Sequence, residues 1–165
     1  MPVAPYLVHG LTVSYFTRKV TGYLDFVGLS DRTHHYPSQL SGGQNQRVGL
    51  ARALAIEPKL VLMDEPFGSL DALTREHLQA LLQRIAAEKN LTVLFVTHSV
   101  DEAIFLSDRI VVMGVPGRVI GEFKVGLERP RADYDWRSTE EYTEIRTEIW
   151  RMLEAELEQS EPAAA

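Results

Sequence analysis

Two apolar runs that each end in polar, chemically active side chains constrain the fold of this chain more than any other feature. Residues 60–63 lead directly into Asp64 and Glu65, and residues 92–96 lead into a loop that contains His98. The stretch between the two runs has the 3.6-residue apolar period of an amphipathic helix. Because the first run is continuously apolar, we expect a strand that is buried on both faces, and the second run predicts another buried strand. The order strand, helix, strand predicts an α/β fold with a mostly parallel sheet.

Polar residues at fixed spacings mark where helices begin. In a capping box, a Ser side chain caps the helix and a Glu or Gln three positions later bonds back to it. Three pairs fit this pattern: Ser41 with Gln44, Ser99 with Glu102, and Ser138 with Glu141. Asp71 fits the simpler pattern of a single capping residue. The sequence therefore predicts four helices that begin at these positions, the last of them amphipathic and close to the end of the chain.

Composition narrows the class of protein. The chain has 165 residues, of which 45% are apolar and 24% charged, and this balance predicts one globular domain. A net charge of -6 gives no basic surface, so we do not expect nucleic acid as a partner. No apolar run approaches the roughly 20 residues that cross a bilayer, and the first residues do not resemble an export signal. The absence of cysteine excludes disulfides and fits a cytoplasmic protein.

The ends of the two predicted strands carry the candidate chemistry. Ligands of open α/β sheets gather at the carboxyl ends of the strands, which would place Asp64, Glu65 and His98 on one rim. A carboxylate there can hold Mg²⁺ beside a nucleotide, and a second can orient attacking water. An imidazole can donate a hydrogen bond to a phosphoryl oxygen. The alternative remains that acidic residues often follow strands without binding anything, and that a loop histidine is simply solvated.

A second candidate site lies at the start of the helix that Ser41 caps. The free N–H groups and the dipole of a helix N-terminus favour an anion, and Gly42 and Gly43 would let a phosphate approach the backbone closely. The alternative is that Ser41 is only a helix cap and the two glycines only a tight turn.

Three stretches together resemble the ATP-binding subunits of ABC transporters. They read LSGGQNQRVGLAR from Leu40, MDEPFGSLDALTRE from Met63 and VTHSVDEA from Val96. The first resembles the family's signature motif, the second its Walker B strand and D-loop (Ser69 to Asp71), and the third its switch histidine. With the Arg-Pro-Arg tail, the chain looks most like importers of the nitrate, sulfonate and taurine group.

The resemblance implies a partial P-loop NTPase fold, with part of the helical subdomain and a C-terminal helix. In this family two ATP-binding domains enclose two ATP molecules head to tail. The implied nucleotide-binding residues are Ser41, Gly42, Gly43 and Gln44, which would bind ATP held by the opposite subunit, and Asp71, which would link the two sites. Asp71 fits equally well as a helix cap, and the two roles are compatible.

The implied catalytic residues are Glu65, which would polarise the attacking water, and His98, which would contact the γ-phosphate. Asp64 would coordinate Mg²⁺ through water. The implied partners are a second ABC subunit and transmembrane permease subunits, which places the chain in the cytoplasm at the inner face of the membrane. The transported solute is not encoded in these motifs.

No GxxxxGK[ST] phosphate-binding loop occurs anywhere in the chain. The resemblance therefore implies an N-terminally truncated subunit that lacks Walker A and the glutamine loop and is inactive alone. We expect residues 1–19 to match the family poorly, residues 20–122 to form the C-terminal part of the ABC domain, and residues 123–165 to form an extension with a frayed end. The family's Walker A strand would lie between the strand before His98 and the strand that begins at Arg109, so its absence would expose apolar edges or force them to pair.

Two other functions fit the residues less well. A non-catalytic partner would lend its signature helix to a complete ABC subunit, and mixing with such a subunit distinguishes it. An ABC ATPase of DNA repair or translation would carry long coiled-coil insertions, and no heptad-like stretch occurs here.

Overall fold

A computed structural model describes residues 13–68 and 70–160, and side chains from residue 20 to 158 within them. The predicted D-loop residue Ser69 and the end expected to fray after Ser160 lie outside the described residues. The helices and strands are α1 (Val13–Phe26), α2 (Gly42–Leu54), β1 (Leu60–Asp64), α3 (Ala72–Glu88), β2 (Thr92–Val96), α4 (Val100–Leu106), β3 (Arg109–Gly114), β4 (Arg118–Lys124) and α5 (Glu140–Ser160). They divide into two compact units, Met1–Leu94 and Phe95–Ala165.

Helices α1, α2 and α3 supply the core of the first unit. Helix α1 ends where Gly28 adopts φ +71°, a left-handed conformation that glycine reaches without steric cost. The Gly28 and Leu29 N–H groups then donate to the carbonyls of Asp25 and Leu24 at 2.8 and 2.7 Å, which closes the helix end. The buried cluster consists of Val20, Tyr23, Leu24, Val27, Leu29, Leu40, Ala51, Leu54, Ala55 and Ile85.

Strands β1 and β2 form a two-stranded sheet and are joined by α3. The Thr92 N–H at the start of β2 donates to the Lys59 carbonyl just before β1 at 3.1 Å, so the two strands start side by side as in a parallel pair. The predicted βαβ unit and the α/β class are confirmed. The described strands form two sheets of two strands each, so β2 and β3 do not pair directly.

The expectations that β1 is buried on both faces and that β2 is a buried strand were wrong. In β1 only Val61 is buried, at 7% exposure, while Leu60 and Leu62 are 53% and 69% exposed. Leu94 of β2 is exposed as well. Successive side chains of a strand point to opposite faces, so the described residues cover one face of β1 and leave the other open. A continuous apolar run shows that both faces of a strand can be buried. It does not show that other parts of the protein pack against both faces.

This difference between neighbouring residues predicts that the same substitution has a small effect at Leu62 and a large one at Val61. We expect Leu62→Ser to change the free energy of unfolding by no more than about 0.5 kcal/mol, because its side chain already contacts water. We expect Val61→Ser to cost about 1–3 kcal/mol, because a buried apolar side chain is lost and a hydroxyl is buried. Urea denaturation of both variants measures the difference, and equal losses would contradict the one-sided burial.

In the second unit, β3 and β4 form an antiparallel hairpin beneath α5. Ile110 pairs with Phe123, and Gly114 pairs with Arg118 at the turn. Gly117 adopts φ +90° there, and its N–H donates to the Gly114 carbonyl at 2.7 Å. The buried cluster joins the hairpin to α4 and α5 and consists of Val100, Ile104, Phe105, Ile110, Val112, Val125, Leu127, Trp136, Ile145 and Ile149.

The predicted capping box of the last helix was also wrong. Thr139 caps α5, because its hydroxyl accepts a hydrogen bond from the Tyr142 N–H at 3.2 Å. The Ser138 hydroxyl instead donates to the Asp135 carbonyl at 2.8 Å. Glu141 accepts from the Gly126 N–H at 2.5 Å, so its carboxylate binds a backbone segment distant in sequence and does not complete a local box.

The Arg-Pro-Arg tail secures the C-terminal end of α4. Arg131 is fully buried, and its guanidinium donates to the carbonyls of Ile104, Phe105 and Ser107 at 2.7–2.9 Å and to the Leu127 carbonyl at 3.2 Å. The last carbonyls of a helix have no partner within the helix, and a cation there also offsets the helix dipole. Burial, followed by the nearby charge of Arg129, lowers the pKa of Arg131 from its ordinary value.

Within residues 13–68 and 70–160, none of the helices combines the length and the apolar character that spanning a bilayer requires.

Candidate functional site

Ser41 shapes the N-terminus of α2 as the sequence predicts. Its hydroxyl accepts from the Gln44 N–H at 3.2 Å, and the Gln44 side chain accepts from the Ser41 N–H at 2.9 Å. Ser41 and Gly42 are exposed, and Gly43 and Gln44 are partly buried. The capping box uses the Gln44 N–H and leaves the N–H groups of Gly42 and Gly43 at a preformed helix entrance, the arrangement that suits a phosphate.

Gly43 allows this helix entrance to pack closely against the first turn of α3. A Cβ atom at Gly43 would lie 2.5 Å from the Thr74 methyl carbon. A β-branched side chain in a helix has little freedom to rotate away. The space of the missing side chain is thus used by Thr74, which gives Gly43 a structural role beside its predicted role in phosphate binding.

We expect Gly43→Ala to destabilise the first unit by about 1–3 kcal/mol, because the new methyl group overpacks the contact with Thr74. The double variant Gly43→Ala with Thr74→Ser removes the opposing methyl group and should recover most of that loss. Gly49→Ala is a matched control, since a Cβ atom there meets no atom within 4 Å. Thermal or urea unfolding of the unmodified chain, these three variants and Thr74→Ser alone measures the coupling. An equal cost of Gly43→Ala with and without the Thr74 methyl group would refute it.

Asp64 ends β1, and Glu65 opens the loop that follows; both side chains are exposed. Glu65 adopts φ +41°, which L-residues other than Asn and Asp rarely do. The other described non-glycine residues with positive φ, Glu57 and Asn90, follow the ends of helices, where this conformation is common. Glu65 follows a strand instead. Such a conformation persists where surrounding contacts enforce it, and it recurs at functional sites.

Contacts from two helices hold the loop that Glu65 begins. The Gln46 side chain of α2 donates to the Pro66 carbonyl at 2.5 Å, and the Arg75 guanidinium of α3 donates to the Leu70 carbonyl at 2.8 Å. The signature helix is therefore bonded directly to the residue after Glu65. Sequence reasoning missed Gln46 and Arg75, because their acceptors are backbone carbonyls that no side-chain pattern reveals.

Asp71 caps α3, as predicted: its carboxylate accepts from the Thr74 N–H at 3.0 Å. The pKa of Asp71 is lowered from its ordinary value, first by this backbone hydrogen bond and next by one from the Thr74 side chain. A carboxyl group whose pKa is lower in the folded state contributes its full stability above the pKa of the unfolded chain. That contribution is lost as the pH falls through the folded-state pKa. The predicted link of Asp71 to a second ATP site stays a prediction.

His98 lies in the second unit, between Thr97 and Ser99 at the start of α4, and its side chain is exposed. The structure thus brings the signature residues, Asp64, Glu65 and Asp71 together in one unit. The predicted shared rim of His98 with the two carboxylates stays a prediction.

The carboxylates at the end of β1 fit the Mg²⁺ that the resemblance implies. No group of three or more His, Cys, Asp or Glu side chains suited to a metal occurs among the described residues. Mg²⁺ at nucleotide sites is held by one or two carboxylates, with water and phosphate oxygens completing the shell. Asp64, a single exposed carboxylate at the end of a strand, fits that requirement.

Comparison with known proteins supports one family. The ABC transporter family model matches residues 9–68. The chain is 45% identical over 145 residues to the nitrate import ATP-binding protein NrtD of Synechococcus elongatus, covering 87% of this chain and 53% of the relative. It is 43% identical over 141 residues to the aliphatic sulfonates import ATP-binding protein SsuB of Bacillus cereus, covering 85% and 55%. These matches support an ATP-binding protein of the ABC transporter family, of which this chain spans a part.

Solved structures agree with this assignment. The chain superposes on a metal-chelate type ABC transporter in an inward-facing conformation with a TM-score of 0.61 and 28% identity, covering 67% of this chain and 48% of that one. An ATP-binding cassette of another ABC transporter gives a TM-score of 0.69 at 22% identity, covering 90% and 53%, and shows the same fold. The chain spans about half the length of the relatives that it matches, so the fold is that of a partial ABC domain.

Proposed function

We propose that the chain provides the signature motif and the catalytic rim of an importer's ATP-binding subunit, coupling ATP hydrolysis to solute uptake. The observation that carries the proposal is the hydrogen bond from Gln46 to the Pro66 carbonyl. It joins the helix that presents Ser41 to the loop that presents Glu65 within one compact unit. A subunit built this way contributes Ser41 to one ATP site and Glu65 to the other in a head-to-tail dimer.

Each candidate residue has a distinct part in this proposal. Gly42 and Gly43 offer the free N–H groups of a helix N-terminus to a γ-phosphate held by the second subunit. The N–H groups of Ser41 and Gln44 form the capping box, so these two residues offer the Ser41 hydroxyl hydrogen and the Gln44 side-chain NH₂ group to the same phosphate. Glu65 accepts a hydrogen bond from the attacking water and orients it. His98 donates a hydrogen bond to the phosphoryl oxygen on which charge develops. Asp64 would hold Mg²⁺ through water, and the ion would neutralise charge on the phosphates.

The names of the relatives indicate the class of solute. Besides the nitrate and aliphatic sulfonate import proteins, a bicarbonate transport ATP-binding protein, CmpC of Synechococcus elongatus, is 47% identical over 132 residues. All three solutes are small oxyanions. We propose that the subunit acts at the inner face of the membrane, paired with a second ABC subunit and with permease subunits that import such an anion.

The 165 residues alone should not hydrolyse ATP usefully, because they contain no phosphate-binding loop. Such a loop supplies a cradle of N–H groups, a lysine and a hydroxyl. Each charge-assisted bond contributes about 1.5–3 kcal/mol, so the loss of three would weaken ATP binding by roughly three to six orders of magnitude.

The proposal is tested with a completed subunit, in which the phosphate-loop portion of NrtD precedes Val20 of this chain. Assembled with a nitrate or sulfonate permease and its binding protein in vesicles, this subunit should drive ATP-dependent uptake of the matching anion. ATP hydrolysis without uptake in every importer tested would contradict the transport role. In the alternative role of a non-catalytic partner, the unmodified chain would itself restore ATP hydrolysis to an NrtD variant whose signature serine is replaced by Arg.

A further inference from the structure

The start of α4 contains a closed ring of hydrogen bonds around His98. The Ser99 hydroxyl accepts from the Glu102 N–H at 3.3 Å, as the sequence predicts. The other half of the predicted capping box is replaced: the Ser99 N–H donates to the Thr97 hydroxyl at 3.1 Å, and that hydroxyl donates to the Glu102 carboxylate. The Thr97 hydroxyl thus connects the Ser99 N–H to the Glu102 carboxylate. His98 is the residue between Thr97 and Ser99, the two residues that this bond joins.

Burial shows which parts of this ring are fixed. Glu102 is 6% exposed, and Val100 and Ile104 of the same helix belong to the buried cluster of the second unit. Thr97 and Ser99 are partly buried, and the His98 side chain is exposed. A buried carboxylate thus holds the backbone on both sides of an exposed imidazole, which restricts the direction in which the imidazole leaves the chain.

Helix α5 fixes the first turn of α4 from another side. The Asp101 carboxylate accepts from the Tyr142 hydroxyl at 3.0 Å and from the Arg146 guanidinium at 3.1 Å. Burial, followed by the hydrogen bond to Asp101, raises the pKa of Tyr142. The first turn of α4 is therefore held to the C-terminal helix, and Glu102 is a firm anchor for Thr97.

We propose that Thr97 and Glu102 are positioning residues for His98: their hydrogen bond fixes the backbone on either side of the imidazole and aims it at the phosphoryl group. This inference rests on the proposed function of His98. Misplacement of a catalytic group by about 1 Å can lower a rate by about a hundredfold. The loss should fall on kcat rather than on KM, because the contact of His98 strengthens in the transition state.

The test compares Thr97→Val, which keeps the shape and removes the hydroxyl, with Thr97→Ser, which keeps the hydroxyl. In the completed subunit, Thr97→Val should lower kcat about 10- to 100-fold with the KM for ATP changed less than about twofold. Thr97→Ser should retain kcat within about threefold of the unmodified subunit. Ser107→Ala is the matched control, because the Ser107 hydroxyl donates to the Ala103 carbonyl at the other end of α4, and it should leave kcat unchanged.

NMR of the 165-residue chain tests the geometry without ATP hydrolysis. Thr97→Val should speed amide exchange at Ser99 and shift the His98 ring resonances, whereas Thr97→Ser and Ser107→Ala should leave both in place.

An inactive completed subunit would count against the proposed function, and the NMR comparison would then decide the positioning role. The inference is overturned if Thr97→Ser is as impaired as Thr97→Val, if Thr97→Val retains full kcat, or if the His98 resonances do not respond to loss of the hydroxyl. If Thr97→Val is the only variant that fails to fold, the comparison of Thr97→Ser with Ser107→Ala decides. An intact kcat in Thr97→Ser supports the positioning role, and a lost kcat rejects it.

Discussion

The completed subunit should hydrolyse ATP, and the substitution Glu65→Gln should lower its kcat by about 10²–10⁴-fold while the KM for ATP changes little. Gln keeps the size and hydrogen-bonding reach of Glu but cannot hold the negative charge that polarises the attacking water. The loss should therefore fall on the chemical step. Steady-state kinetics at saturating ATP measure it.

The matched control is Glu88→Gln, the same chemical change at an exposed position of α3 where the carboxylate pairs only loosely with Arg84, at 3.9 Å. It should leave kcat unchanged. The unmodified 165-residue chain should show no more ATP hydrolysis than the Glu65→Gln subunit. Retention of most of the kcat in Glu65→Gln would rule out the proposed role of this carboxylate.

Arg131→Met should lower the free energy of unfolding of the second unit by about 3–5 kcal/mol. The buried guanidinium donates to four carbonyls, at Ile104, Phe105, Ser107 and Leu127. Met fills much of the same volume but donates nothing, so buried carbonyls at the end of α4 lose their partner at a cost of about 1–3 kcal/mol each where water cannot replace it. Urea unfolding followed by tryptophan fluorescence reports on this unit, because both tryptophans of the chain, Trp136 and Trp150, lie in it.

Arg129→Met is the control for this substitution. Arg129 also bonds to the end of α4, donating to the Leu106 carbonyl at 2.7 Å, but its side chain is partly exposed. Water can replace its hydrogen bonds, so we expect a loss of about 1 kcal/mol. If the two arginines cost the same, the buried network of Arg131 would not be the source of the stability.

The sequence predicted those features whose partners are close along the chain. Ser41 and Gln44 form their capping box because both members lie in one helical turn, and Asp71 caps α3 for the same reason. The α/β class followed from the order of apolar runs, which the β1–α3–β2 unit confirms.

The sequence failed where a side chain had a choice of partners or where burial depended on distant segments. Glu102 fits a capping box with Ser99, yet its carboxylate accepts from Thr97 instead. Leu62 belongs to a continuous apolar run but is exposed, because coverage of a strand depends on which other elements lie over it. The burial of Arg131 could not be predicted from composition. Arginine is rarely buried without a network of acceptors, and composition does not reveal such a network.

The central claim is that Ser41 and Glu65 of one subunit serve different ATP sites. It is tested by mixing two inactive versions of the completed subunit, one with Ser41→Arg and one with Glu65→Gln, and measuring ATP hydrolysis. A mixed dimer then contains one site with both defects and one with neither, so activity should return to about a quarter of the unmodified level under random pairing. A mixture of Glu65→Gln and His98→Ala should stay inactive. Each subunit supplies both residues to the same ATP site, so each site of a mixed dimer carries one of the two defects. If Ser41→Arg and Glu65→Gln also fail to restore activity when mixed dimers form, the two residues act at the same site and the account is contradicted.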